Sequence, residues 1–146
     1  MSVSSEEIKK IIIVLSGKGG VGKTTVSVNL SVAFALKGLK VGLLDIDIHG
    51  PNVPKMLGLD NIRLSITGNK IYPVMYLDKI KVMSMGFLLP DGSQAVVWRG
   101  PLKHKMIQEF LNSVEWGHLD ILVIDSPPGT GDEIISITTS PIGNFV

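Results

Sequence analysis

Residues 16–25 read Ser-Gly-Lys-Gly-Gly-Val-Gly-Lys-Thr-Thr, and this stretch decides how the rest of the chain is interpreted. Its positions 17–24 fit the pattern G-x-x-x-x-G-K-[ST], in which a glycine-rich backbone wraps phosphate oxygens. The run 11–15 before it is apolar and mostly β-branched, which predicts a buried strand, and a helical pattern follows it. The sequence therefore predicts a phosphate site at a helix N-terminus, where the helix dipole favours anions.

The candidate nucleotide-binding residues belong to this loop and to the first helical turn. They are Gly17, Lys18, Gly19, Gly20, Val21, Gly22, Lys23, Thr24 and Thr25. Lys23 is expected to place its charge on the terminal phosphates, and the Thr24 hydroxyl is a natural Mg²⁺ ligand. A glycine-rich turn between a strand and a helix also occurs without phosphate. The complete pattern, with a strand before it and a helix after it, favours nucleotide binding.

A second candidate segment is the apolar run 119–124, which ends in Asp125. An unbroken apolar run predicts a strand buried on both faces, and a carboxylate at its end has the form of a Walker B element. Asp125 is therefore expected to hold Mg²⁺ through a water, although a strand-end aspartate can also cap the next turn. Pro127, Pro128 and Gly129 follow, and they suit either a switch that senses the terminal phosphate or a tight connection.

Two further carboxylates, Asp45 and Asp47, follow the strand predicted over 40–45. Because they are two residues apart, their side chains would point the same way along an extended chain. Phosphoryl transfer to water needs a residue that aligns the water with the leaving group. Asp47 is our candidate for that role, and Asp45 is expected to support the Mg²⁺ shell. The candidate metal residues are thus Thr24, Asp45 and Asp125.

Strands that alternate with helices predict an α/β fold, an open and mostly parallel sheet with helices on both faces. The helix after the loop is expected over about 22–37, with Val26, Leu30, Ala33 and Phe34 on one face and Gly38 as its cap. A hairpin is expected within 61–76, a strand over 80–85, and a helix with a core-facing stripe over 102–114. The three candidate segments then meet at the carboxyl edge of the sheet.

Composition restricts the class of protein. The chain has 146 residues, a net charge of +1 and no cysteine. This length suits a single domain over 1–146, with 1–9 as an N-terminal extension. Without a basic block or a long apolar run we expect no nucleic-acid partner and no membrane span, and a cytoplasmic location. Without cysteine the chain forms no disulfide and offers no thiolate to a metal cluster.

Several motifs together resemble the Mrp family of iron–sulfur cluster carrier ATPases. The matching text comprises residues 16–25, Asp-Ile-Asp-Ile-His-Gly-Pro-Asn at 45–52, Val-Trp-Arg-Gly-Pro at 97–101 and Asp-Ser-Pro-Pro-Gly-Thr-Gly-Asp at 125–132. The resemblance implies a P-loop NTPase that binds ATP and Mg²⁺ as a homodimer, hydrolyses ATP and carries a cluster to apo iron–sulfur proteins. It also implies that Lys18 reaches across the dimer to the partner's phosphates, so the catalytic candidates are Lys18, Lys23 and Asp47.

Two departures from that family bear on function. Its bridging cluster is held by a Cys-x-x-Cys pair, which this chain lacks, and its members continue beyond the equivalent of Val146. The sequence therefore predicts the N-terminal part of such a domain, with its C-terminal part missing. Two alternatives stay open: a nucleotide-binding interaction module without useful turnover, and a Min-type or Par-type positioning ATPase. The latter expects a membrane-targeting tail or a basic DNA-binding face, and neither is seen in the sequence.

Overall fold

The computed structural model describes residues 8–16, 22–47, 52–62, 64–88 and 112–127. The elements in chain order are β1 (Ile8–Val14), α1 (Lys23–Leu36), β2 (Val41–Asp45), α2 (Asn52–Leu57), β3 (Ser65–Thr67), β4 (Lys70–Tyr72), β5 (Val74–Tyr76), β6 (Ile80–Ser84), a 3-10 helix (Met85–Leu88) and β7 (Leu119–Asp125). The strand predicted from the run 11–15 begins three residues earlier than expected, whereas β2, β6 and β7 lie within one residue of their expected limits.

Five strands form one sheet in the order β1-β7-β2-β6-β5. The first four are mutually parallel, and β5 pairs antiparallel with β6 at one edge. The strands β3 and β4 form the predicted hairpin, separate from this sheet. The predicted mostly parallel α/β sheet is therefore confirmed. Because β7 lies between β1 and β2, the register places Val14 and Asp45 on either side of Asp125 at the carboxyl edge.

Helix α1 covers one face of the sheet, but the prediction of which helix residues are turned toward the sheet is wrong. Its buried residues are Ser27, Val28, Ser31 and Ala35, whereas Val26 is 53% exposed. The buried residues have short side chains, and serine and alanine let the helix lie close to the strands. Each serine hydroxyl bonds a carbonyl one turn back, Ser27 to Lys23 at 3.1 Å and Ser31 to Ser27 at 2.8 Å. Burial of these polar groups is thereby offset by hydrogen bonds.

The C-terminus of α1 has the predicted glycine cap. Gly38 adopts φ 88°, a left-handed conformation that suits a residue without a Cβ. Beyond it, the Leu39 N–H donates to the Phe34 carbonyl at 3.3 Å, and the Gly38 N–H donates to Ala35 at 3.0 Å. These bonds satisfy carbonyls of the last turn and fix where the chain turns toward β2.

The opposite face of the sheet is built around Trp116, which is fully buried. A Cβ added to Gly42 in β2 would lie 3.0 Å from the indole and 2.7 Å from the Leu119 side chain, so the indole and Leu119 occupy the space that a side chain at 42 would need. The Lys81 ammonium donates to the Trp116 carbonyl at 2.6 Å. The helix predicted over 102–114 lies outside the described residues except for 112–114.

The amino end of β7 carries a further carboxylate, Asp120. Asp120 accepts the Lys40 N–H at 2.8 Å and pairs with Lys9 at 3.3 Å. The Lys40 N–H is the main cause that lowers the pKa of Asp120. This carboxylate ties β7 to the turn before β2, far from the candidate site. In the described part of the chain, no helix is long and apolar enough to cross a membrane.

Candidate functional site

The carboxyl ends of β1, β2 and β7 lie side by side and bring candidate residues from distant parts of the sequence together. Gly22, Lys23, Thr24 and Thr25 open α1, while Asp45 and Asp125 end their strands. Among the candidate loop residues, Gly17, Lys18, Gly19, Gly20 and Val21 lie outside the described residues. The same holds for Pro128 and Gly129 of the candidate switch, whereas Pro127 is described.

Asp125 is the residue on which the first turns of α1 converge. Its carboxylate is 1% exposed and accepts the Lys23 ammonium at 2.6 Å on Oδ1. The Thr24 hydroxyl donates to Oδ2 at 2.8 Å, and the Ser27 hydroxyl donates to Oδ1 at 3.0 Å. One ion pair and two hydroxyl bonds satisfy a charge that would otherwise be costly to bury. They also fix the start of α1 against the end of β7.

The N-terminus of α1 begins at Gly22, which has φ 88° and ψ 17° and provides no side-chain cap. The first N–H groups of a helix have no intrahelical acceptor, and an anion at the N-terminus satisfies them. The helix has 14 residues, so its dipole is well developed at this end. The Lys23 ammonium and these N–H groups together form an anion-binding arrangement.

Asp45 is a buried carboxylate that joins three segments of the chain. Its Oδ1 accepts the Asp47 N–H at 3.0 Å, and its Oδ2 accepts the Val53 N–H at 3.3 Å. The Ser84 hydroxyl at the end of β6 also donates to Oδ2, at 3.1 Å, and itself accepts the Gly86 N–H at 3.0 Å. Asp45 therefore connects β2 to the start of α2 and to the 3-10 helix.

The charge of Asp45 is disfavoured by its surroundings. The pKa of Asp45 is raised from 3.8 to about 7, chiefly by burial and to a lesser extent by the nearby Asp125 and Asp47 carboxylates, while the N–H groups of Asp47 and Val53 oppose the shift. A pair of buried carboxylates on neighbouring strands attracts a cation, because a cation relieves both their repulsion and their desolvation. The geometry thus favours a positive ligand beside Asp45 and Asp125.

Asp47 lies just beyond the strand that ends at Asp45. It is 9% exposed, so it is nearly buried at this edge. Because β2 ends at Asp45, the argument from an extended chain does not reach Asp47. Its backbone is bonded to Asp45, which fixes its position relative to the strand end. Its role as a catalytic residue stays a prediction.

The atoms that the site offers to a metal are oxygens. Thr24, Asp45 and Asp125 supply a hydroxyl and two carboxylates, the ligand types that Mg²⁺ prefers. No group of three His, Cys, Asp or Glu side chains within the described ranges is arranged to hold a metal by itself. A Mg²⁺ ion here would fit the usual nucleotide arrangement, in which phosphates and waters complete the shell.

Three buried serines in the site were missed by sequence reasoning. Ser27 bonds Asp125 and Ser84 bonds Asp45, as described above. Ser126 follows β7, and its hydroxyl donates to the Val14 carbonyl at 2.7 Å, which ties the ends of β7 and β1 together. Ser27 follows Lys23 by one helical turn, and this spacing is the one signal that points to a shared face. Ser84 and Ser126 carry no comparable pattern.

Comparison with known proteins decides the family. A model described as ParA: NUBPL iron-transfer P-loop NTPase matches residues 7–144. The chain belongs to this family. The resemblance inferred from the motifs is thereby confirmed, as is the predicted P-loop NTPase fold class.

Two curated relatives in this family have names that bear on function. The iron-sulfur cluster carrier protein of Methanocaldococcus jannaschii is 55% identical over 134 residues, which are 92% of this chain and 46% of that protein. The cytosolic Fe-S cluster assembly factor CFD1 of Kluyveromyces lactis is 50% identical over 141 residues, which are 94% of this chain and 50% of that protein. The chain thus spans about half the length of the curated relatives that it matches.

A solved structure shows the same fold with a nucleotide. It is the nucleotide-binding protein in complex with ADP from Archaeoglobus fulgidus, 44% identical with a TM-score of 0.76. The match covers 90% of this chain and 50% of that one. The names of the two relatives refer to iron–sulfur clusters, and that of the solved structure refers to a bound nucleotide.

Proposed function

We propose that the chain supplies the nucleotide site of an iron–sulfur cluster carrier and that it binds and hydrolyses Mg-ATP. The observation that carries the proposal is the convergence of Lys23 and Thr24 on the buried Asp125. The strand-end carboxylate, the loop lysine and the hydroxyl that nucleotide chemistry requires are already within hydrogen-bond distance of one another. The names of the relatives support an iron–sulfur cluster as the cargo, and the ADP-bound neighbour supports a nucleotide as the ligand.

Each side chain of the site has a role in this proposal. The loop 17–25 surrounds the phosphates, and Lys23 exchanges Asp125 for a phosphate oxygen. Thr24, Asp45 and Asp125 hold Mg²⁺, which supplies charge neutralisation on the phosphates. Asp47 aligns the attacking water. The switch Pro127, Pro128 and Gly129 follows Asp125 after a single residue and would move when that carboxylate is engaged.

The assembly proposed for this site is a homodimer in the cytoplasm. In that dimer Lys18 acts on the phosphates of the partner subunit, as the resemblance of the loop implies. Apo iron–sulfur proteins are the proposed clients, and neither nucleic acid nor membrane is a proposed partner. The 146 residues contain no cysteine, so cluster ligands would come from outside this sequence. We therefore expect the chain by itself to bind no iron after incubation with iron and sulfide.

Magnesium-dependent release of inorganic phosphate from ATP tests hydrolysis. We expect Asp47→Ala to lose turnover while it keeps nucleotide affinity, since Asp47 acts on the water and not on the phosphates. The matched control is Asp60→Ala, an exposed carboxylate in the turn after α2. Equal turnover in wild type and Asp47→Ala would contradict the role of Asp47. Binding without turnover in the wild type would favour a nucleotide-dependent interaction module.

A further inference from the structure

Three donors converge on the buried carboxylate of Asp125, and one of them has no part in the phosphate-loop pattern. Lys23 and Thr24 close that pattern, and the proposed function gives both of them to the ligand. Ser27 lies one helical turn further along α1, and its side chain is fully buried. Its hydroxyl lies 3.0 Å from Asp125 Oδ1. The pattern itself gives no reason for a serine at this position.

The neighbouring Ser31 shows what is special about Ser27. Both serines are fully buried on the same side of α1. Both hydroxyls lie within hydrogen-bond distance of the carbonyl one turn back, at 3.1 Å for Ser27 and 2.8 Å for Ser31. Ser27 has a second acceptor, Asp125 Oδ1, and an ionised oxygen attracts the single hydroxyl hydrogen more strongly than a carbonyl does. The two serines differ in that contact with a carboxylate.

Ligand binding would change the donors of Asp125 unequally. Lys23 would leave Oδ1 for a phosphate, and the Thr24 oxygen would turn to the cation. Ser27 is held inside the helix by its backbone and has no ligand to move to, so its bond to Oδ1 remains. A carboxylate that is 1% exposed needs such a donor, because an unsatisfied buried charge is costly.

We infer that Ser27 is a positioning residue, which keeps Asp125 Oδ1 in place so that Oδ2 stays directed at Mg²⁺ when nucleotide is bound. The inference rests on the proposed function and extends the site by one turn of α1 beyond the loop pattern. It also accounts for a polar residue on the buried side of a helix where an apolar one is expected. Because this role concerns the cation, loss of the Ser27 hydroxyl should weaken nucleotide binding more in the presence of Mg²⁺ than in its absence.

Calorimetric titration of ADP into the full chain, once with Mg²⁺ and once with EDTA, tests this role. The quantity compared is the gain in affinity that Mg²⁺ provides. We expect Ser27→Ala to reduce that gain roughly tenfold, the effect of about 1.4 kcal/mol, which is the size expected of a hydrogen bond to a charged group. Ser31→Ala is the matched control, since it removes an equally buried hydroxyl that bonds a carbonyl, and we expect it to keep the full gain.

Other outcomes separate this inference from the proposed function. A wild type that binds ADP with a Mg²⁺-dependent gain that Ser27→Ala retains would overturn the inference and leave the function intact. Equal losses in Ser27→Ala and Ser31→Ala, or a Ser27→Ala chain that fails to fold when Ser31→Ala folds, would show a packing role and also overturn it. A wild type that binds no ADP would overturn both.

Discussion

The raised pKa of Asp45 predicts an unusual dependence of stability on pH in the nucleotide-free protein. The folded chain holds a proton on Asp45 up to about pH 7, whereas the unfolded chain loses it near 3.8. Between these values the folded state binds more protons, so the free energy of unfolding falls as pH rises. Integration from pH 6 to pH 8 gives a loss of about 1.4 kcal/mol that is due to Asp45 alone. Above this range the loss is complete.

Urea unfolding in EDTA, followed by tryptophan fluorescence to which the buried Trp116 contributes, measures this loss. The variant Asp45→Asn cannot ionise, so its free energy of unfolding should lack the fall that is assigned to Asp45. The free energy of unfolding of Asp45→Asn should also differ from that of the wild type by an amount that does not depend on pH. The reason is that the amide NH₂ group would face N–H groups that now donate hydrogen bonds to Asp45. The difference in pH slope is therefore the readout.

The matched control is Asp120→Asn at the other end of β7, where the pKa is lowered and the charge is favoured. That variant should keep the wild-type slope between pH 6 and pH 8. An identical slope in wild type and Asp45→Asn would refute the reasoning, since ionisation of the buried Asp45 carboxyl would then have no cost in this range.

Three further predictions follow from packing and backbone geometry. Gly42→Ala places a Cβ 2.7 Å from the Leu119 side chain and 3.0 Å from Trp116. This overpacking should lower the free energy of unfolding by about 1–3 kcal/mol, and the melting temperature should fall accordingly. Gly38→Ala forces a side chain to adopt φ 88°, and urea unfolding should show a loss of about 1 kcal/mol, while Lys37→Ala at the preceding position should show little change. Lys23→Ala leaves a buried carboxylate without its cation, and in the absence of nucleotide it should unfold at lower urea than the exposed-lysine variant Lys40→Ala.

The sequence was sufficient for the four parallel strands and for the edge of the sheet at which their polar ends meet. Apolar runs marked β1, β2, β6 and β7, and the polar residues that follow them predicted the edge at which a ligand would bind. The neighbour of each strand was not predicted, because an apolar run does not specify which strand it pairs with. The insertion of β7 between β1 and β2 is what makes Asp45 and Asp125 adjacent.

The buried face of α1 shows why hydrophobic periodicity failed for this helix. A stripe of apolar residues selected Val26 and Leu30, yet the helix buries Ser27 and Ser31 against the sheet. Hydrophobic periodicity counts apolar side chains, so it cannot recognise buried serines whose hydroxyls are satisfied by a carboxylate or a carbonyl. For the same reason the Ser84 bond to Asp45 could be found only from the structure, as could the pKa of Asp45.

Calorimetric titration of Mg-ATP tests most directly whether Lys23, Thr24 and Asp125 form a nucleotide site. The wild-type chain should bind, and Lys23→Ala should lose that binding because it removes the charge that meets the terminal phosphates. Lys40→Ala, an exposed lysine at the opposite end of the sheet, should bind as the wild type does. Equal affinity in wild type and Lys23→Ala, or no binding by a folded wild-type chain, would contradict the account.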